Sequence, residues 1–224
     1  MAMTEKREVT ATVEEYLENI FRLQEERGRA RTKELADRIG VTLGTVTNMV
    51  EDLEHQGLVV HEPYKGVRLT EEGRRVALDV VRRHRLSERL LTDILKMPMS
   101  RVHKAACELE HSLGEDVIKP LEKALGHPKT CPHGNPIPTR CGGIIEEESV
   151  PVASLSSGDV GVVLKITEEG EDLLKHLSAM GIVPEASIVV NEKVAFDGSI
   201  NITVGGAKRS LSHEVASIIW VKKT

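Results

Sequence analysis

Residues 102–113, VHKAACELEHSL, place His103, Cys107, Glu110 and His111 at intervals of four, three and one. On an α-helix, residues three and four apart are neighbours on one face, so these side chains form a ridge of nitrogen, sulfur and carboxylate donors. Upstream, His84 and Glu88 are again four apart. Two helices bearing such stripes can converge on one or two divalent ions. The plain alternative is a charged helix surface, with Cys107 a small buried hydrophobe between Ala105, Ala106 and Leu109. Two His, one Glu and one Cys within nine residues, with a second His/Glu pair nearby, favour the metal.

The rest of the chain must supply rigid elements for those donors. Its 224 residues can hold two or three small domains, and one Trp, two Phe and two Tyr leave core building to Leu, Val, Ile, Ala and Met. A net charge of -5 gives no global attraction to phosphate, so any nucleic-acid surface has to be local. No apolar run reaches the roughly 20 residues of a spanning helix, and the start MAMTEKREVTATVEE lacks the apolar core of a secretory signal. The expectation is a soluble cytoplasmic protein with no membrane partner. Three cysteines fit thiols or metal ligands better than a secreted disulfide framework. A glycine-rich phosphate loop, a Ser/His/Asp arrangement and an HExxH helix are all missing, which argues against an enzyme and a small organic substrate.

The first part of the chain has the grammar of a winged helix-turn-helix. VEEYLENIFRLQEE repeats its apolar residues at helical spacing. A short helix follows from Thr32 to a stop at Gly40, and after VTLG a third helix, TVTNMVEDLEHQG, ends at Gly57. Two short helices about four residues apart match helix-turn-helix spacing. LVVHEPYKGVRLTEEG then reads as a hairpin turning at residues 63–66, which would be the wing. Thr42, Thr45, Thr47 and Asn48 occupy the solvent face at the start of the third helix, where side chains reach base edges; Lys33, Lys65 and Arg68 are candidates for the phosphate backbone.

A long helix over residues 71–95 carries more apolar positions than a small wing domain can cover, so it calls for a second helical layer or a partner subunit. Helices over residues 100–113 and 116–125 complete an all-helical domain. GHPKTCPHGNPIPTRCGG reads as an extended linker; a structural zinc on Cys131, His133 and Cys141 is the less favoured alternative, since no fourth ligand is obvious. VGVVLKI, SIVVNEKV, SINITVG and ASIIWVK, with the helix GEDLLKHLSAMG between the first two, predict a small closed barrel of about seventy residues. The expected boundaries are 1–75, 76–125, 126–149 and 150–224.

The run RRHRLSERLLTDIL, then VHKAACELEH and GNPIP, behind a winged helix, closely resembles the iron-dependent repressors of the diphtheria toxin repressor family. The resemblance covers essentially the whole chain. It implies an α+β protein: a winged helix-turn-helix, an all-helical dimerisation domain, and a C-terminal SH3-like β-barrel similar to the iron-transport FeoA domain. It also implies a homodimer that binds operator double-stranded DNA when loaded with ferrous or manganous ion and represses metal-uptake genes. One metal position would match His84, Glu88 and His103, helped by the C-terminal domain, where Glu169, Glu171, Asp172 and His176 are available and Glu171 is preferred. The other would match Cys107, Glu110 and His111, completed by Glu15. The chain is mixed. Iron-responsive relatives commonly have Met where Glu15 stands, while manganese-responsive ones have an acidic residue there, a further Glu at Glu18, and Glu in place of Cys107. A thiolate is a soft donor and a carboxylate a hard one; the cysteine tips the expectation to Fe2+, with Mn2+ as the alternative and Co2+, Ni2+ and Zn2+ as surrogates.

Overall fold

The computed structural model describes residues 9–62, 65–168, 170–194 and 196–224. It divides into two compact units, Met1–Arg83 with Pro138–Gly143, and His84–Ile137 with Ile144–Thr224.

In the first unit, α1 (Ala11–Arg27) opens where the Thr10 hydroxyl accepts the Val13 N–H, and it stops at Gly28 in the left-handed conformation. It buries Val13, Tyr16, Leu17, Ile20, Phe21 and Leu23, the spacing of one helical face. The second helix, α2 (Thr32–Ile39), ends at left-handed Gly40. Thr42 then caps α3 (Leu43–His55), which turns Val46, Val50 and Leu53 inward. The strands β1 (Val59–Glu62) and β2 (Gly66–Leu69) pair antiparallel, forming the expected wing; Pro63 and Tyr64, at its expected turn, lie outside the described residues. This is the winged helix-turn-helix. Next comes α4 (Glu71–Arg89), within which the division between the units falls. Arg83 pairs with Glu14 at 2.5 Å, both largely buried, and so ties α4 to α1 inside the first unit.

The second unit starts with the end of α4, which loosens into a π-helical turn at Leu90–Ile94. It is followed by α5 (Val102–Glu110) and α6 (Glu115–Ala124). Leu86, Ile118 and Ile137 form one core cluster, and Leu91, Val102 and Ala106 another. The helix that carries the opening ridge, α5, is thus packed through Val102 and Ala106, the residues next to His103 and Cys107.

The C-terminal part contains β3 (Val150–Pro151), β4 (Val160–Ile166), α7 (Glu171–Ala179), β5 (Ser187–Lys193), β6 (Ile200–Val204), β7 (Ala207–Leu211), α8 (His213–Ile218) and β8 (Ile219–Lys223). Its sheet order is β3-β8-β4-β5-β6-β7, an open six-stranded sheet. This corrects the expected SH3-like closed barrel. The physical reason lies at the edges: β3 is two residues long, and β7 exposes Lys208, Arg209 and Ser210, charge that discourages further pairing. The core is covered by helices instead of by closure. Leu174 and Leu177 of α7 and Ala216 of α8 join Val163, Ile188, Ile202 and Val221 in one cluster. Among the described residues, no helix is long and apolar enough to cross a membrane.

Candidate metal centre

The end of α4 and the length of α5 bring the expected donors together. His84 is completely buried, and its Nδ1 lies 2.5 Å from Oε2 of Glu110, itself 2 % exposed. On its other side, His84 Nε2 lies 3.3 Å from Glu88 Oε1 and 3.2 Å from His103 Nδ1. Cys107 Sγ stands 3.9 Å from His84 Nδ1 and 3.8 Å from His103 Nε2. The donor atoms of His84, His103 and Cys107 all fall within 4.8 Å of one another. His111, partly exposed, reaches Glu110 Oε1 at 3.3 Å.

A second trio adjoins the first through Glu88. Residues 131–134, CPHG, form a tight turn in which the Gly134 N–H donates to the Cys131 carbonyl at 2.9 Å. Proline suits the second position of such a turn and glycine the fourth. The turn aims two buried donors at α4: His133 Nδ1 lies 3.2 Å from Glu88 Oε1 and 3.8 Å from Cys131 Sγ. Glu88, Cys131 and His133 again offer ligand atoms within 4.8 Å of one another. His133 Nε2 is 2.9 Å from the Met99 carbonyl. A proton there is donated to that carbonyl, leaving Nδ1 for the cluster.

The sequence places Glu88 with His84 and, through the family resemblance, with His103, and weighs Cys131 and His133 with Cys141. The structure gives Cys131 and His133 a buried carboxylate from α4, while Cys141 is exposed. The signal was the two-residue spacing across Pro132 in a turn, which sets both side chains on one side.

Electrostatics explain how so many polar groups tolerate burial. Burial opposes charge on His84, but the Glu88 carboxylate, with hydrogen bonds to Cys107 and Glu110, outweighs it and holds the imidazole well above its ordinary pKa. For His133, burial is likewise overcome by Cys131 and Glu88, and the pKa is pushed up to about 11. Burial disfavours the Cys107 thiolate, yet His103 and His84 bring its pKa down. Burial and Glu88 push the Cys131 thiol up against His133 and Arg85. Protons on two imidazoles thus neutralise two buried carboxylates. A divalent cation provides the same compensation with better-directed bonds, so this donor set fits one.

Glu15 is exposed on α1, and Glu18, buried on the same helix, pairs with Arg22 at 2.8 Å. Glu171 opens α7, half exposed, and pairs with Lys175 at 2.7 Å and Arg101 at 3.4 Å, outside both trios; Lys175 holds its carboxyl below the usual range. Glu169 lies outside the described residues. Thr42, Thr45, Thr47, Asn48 and Lys33 are exposed on α2 and α3 or at the start of α3. Thr42 is the cap of α3, its hydroxyl accepting the Thr45 N–H at 3.2 Å, and the Thr47 hydroxyl donates to the Leu43 carbonyl. Lys65 and Arg68 on the wing flank Glu62 at 3.0 and 3.8 Å and keep its carboxyl acidic.

Residues 8–67 match the N-terminal DNA binding domain of iron dependent repressors, residues 70–139 their metal binding and dimerisation domain, and residues 150–223 the FeoA domain. The iron-dependent repressor IdeR of Mycobacterium tuberculosis is 36 % identical, with 96 % of this chain and 99 % of IdeR covered. This chain belongs to the DtxR/IdeR family of metal-dependent repressors, with a C-terminal FeoA-like domain. DtxR/IdeR proteins are transcriptional repressors and not enzymes, so the His/Glu/Cys cluster is a binding site and not a catalytic one. The diphtheria toxin repressor of Corynebacterium efficiens is 30 % identical over 97 % of both chains. A solved manganese-dependent transcriptional repressor in complex with manganese superposes with a TM-score of 0.88 at 33 % identity, covering 95 % of this chain and all of the other.

Proposed function

We propose that this DtxR/IdeR-family repressor acts as a homodimer on two-fold operator DNA, is activated by ferrous iron, and represses genes of metal uptake and homeostasis in the cytoplasm. The observation that carries the iron reading is the thiol of Cys107 within 4 Å of two imidazoles, His84 and His103. A sulfur donor among nitrogens favours the softer Fe2+ over Mn2+, and Cys131 adds another beside Glu88. Ile94, Leu95 and Val117 are exposed apolar side chains in the unit that matches the dimerisation domain, which supports a homodimer through that region.

Manganese is the second reading, favoured by the manganese-bound relative and by the acidic residues Glu15 and Glu18. Both are proposed as the ligands that α1 contributes, as the family resemblance implies.

A bound divalent ion would supply a cationic crosslink between carboxylate, imidazole and thiolate donors. His84, His103, Cys107, Glu110 and His111 would hold an ion at one position and Glu88, Cys131 and His133 at the adjoining one, and the packing of α4 and α5 keeps their geometry. Glu15 and Glu18, the ligands the family resemblance assigns to α1, would give that helix a stake in the same charge, and metal loading would then favour the operator-competent arrangement of the DNA-binding domain. The shift is limited to the ion's differential affinity for the two arrangements. Thr45, Thr47 and Asn48 then face base edges, with Lys33, Lys65 and Arg68 on phosphates. An anaerobic mobility-shift titration at fixed salt tests this reading. Operator binding should appear with Fe2+ at lower concentration than with Mn2+ and vanish on chelation; binding indifferent to chelation would refute it.

A further inference from the structure

The hairpin that carries Cys131 and His133 is held from two sides. From α4, Arg89 donates from Nε to the Thr130 carbonyl at 2.7 Å and Arg85 donates to the Pro136 carbonyl, gripping both arms. The tip is gripped by β4 of the C-terminal sheet. The Ile166 N–H donates to the His133 carbonyl at 2.9 Å, and the Asn135 side-chain amide donates to the Ile166 carbonyl at 2.9 Å. Between those two bonds, Gly134 sits at φ 86° so close to Leu164 that a Cβ would lie 1.8 Å from its carbonyl oxygen. Only glycine fits there.

β4 is irregular at this point. Its pairing with β8 shifts register between Val163 and Lys165, leaving Leu164 as an extra residue outside the ladder. Bulges of this kind re-aim backbone groups beside functional sites. Here the bulged residue is the one Gly134 packs on, and the next paired residues lead to the Ile166 peptide that both His133 and Asn135 engage. Asn135 is 6 % exposed, so its amide is buried for this contact.

We propose that Asn135 and the Leu164 bulge are positioning elements of the Glu88/Cys131/His133 position, through which the C-terminal domain holds the ligand hairpin in coordinating geometry. The inference rests on reading that trio as a metal position. It gives the FeoA-like domain a part in metal affinity through its hydrogen bonds to the ligand hairpin. Binding of the ion and tightening of the β4 contact are then one coupled event.

Full-length protein with Cys107→Ser and Cys141→Ser keeps Cys131 as its single thiol, so thiolate-to-cobalt charge transfer reports this position alone. Asn135→Asp in that background keeps the side-chain shape and replaces the donor by an acceptor facing the Ile166 carbonyl. Cobalt affinity read from the charge-transfer band should fall on the order of tenfold. In the parent, cobalt should also slow hydrogen exchange of the Ile166 amide, and Cys131→Ser should abolish that slowing. This second measurement stands even where Asn135→Asp does not fold. An affinity for Asn135→Asp within about twofold of the parent, or an Ile166 amide indifferent to cobalt, overturns the positioning role. A parent without any charge-transfer band overturns the metal position itself and the proposal with it, a result distinct from the other two.

Discussion

His84 Nδ1 and Glu110 Oε2 lie 2.5 Å apart, on α4 and α5, with both side chains almost wholly buried. A carboxylate in that setting needs a cation, and in the metal-free protein a proton on His84 serves. Divalent ions compete for the same nitrogen. Metal affinity should therefore rise with pH across about 6 to 8, with protons released on binding. Calorimetric titration of Co2+ in buffers of different ionisation enthalpy measures that release; a proton count of zero would contradict the assignment.

The same imidazoles set the stability of the metal-free protein. His133 has a folded-state pKa of about 11 against an ordinary 6.5, both partners Glu88 and Cys131 being buried. A raised pKa contributes stability that is fully present below about 6.5 and is lost as pH rises through the folded value. The melting temperature of chelated protein should fall between neutral pH and pH 10 or so, and His133→Gln should flatten that fall.

On the proposed iron reading, Cys107 decides the choice of ion. Cys107→Glu replaces the soft donor by a hard one on the same helix face and should move the preference from Fe2+ towards Mn2+ by on the order of tenfold or more in relative affinity. Cys107 is only partly buried, so the far-ultraviolet circular dichroism should not change. Competitive anaerobic titration reads the ratio, and an unchanged ratio would mean that Cys107 is no ligand.

The proposed operator contacts can be tested apart from the metal centre. Thr45→Ala or Asn48→Ala should weaken operator binding by about 1–3 kcal/mol for a lost base contact and leave cobalt affinity unchanged. Thr42→Ala is a different experiment, because its hydroxyl caps α3 and its loss costs about 1 kcal/mol of stability. Fluorescence anisotropy with wild-type and base-substituted operators distinguishes the two effects.

The legible parts of the chain were those set by local pattern. The apolar period of α1 and the glycine stop after α2 speak through nearest neighbours, as does the four-residue spacing of His84 with Glu88 and His103 with Cys107. What stayed hidden depends on contacts distant in sequence. Glu88 meets Cys131 and His133 more than forty residues away, a meeting no periodicity announces. The C-terminal strands were largely visible, yet closure is a property of edges. β7, with Lys208 and Arg209, carries too little alternation to be read as a strand, and ASII, read as part of a strand, begins as the end of α8.

Operator anisotropy during an anaerobic Fe2+ titration at fixed salt, comparing wild type with Cys107→Ser and Glu110→Ala, tests the central claim most directly. Wild type should gain operator affinity as iron is added, while both variants, folded by circular dichroism, should show no iron-dependent gain. Variants that still bind the operator only when iron is present would contradict the claim that this cluster is the switch.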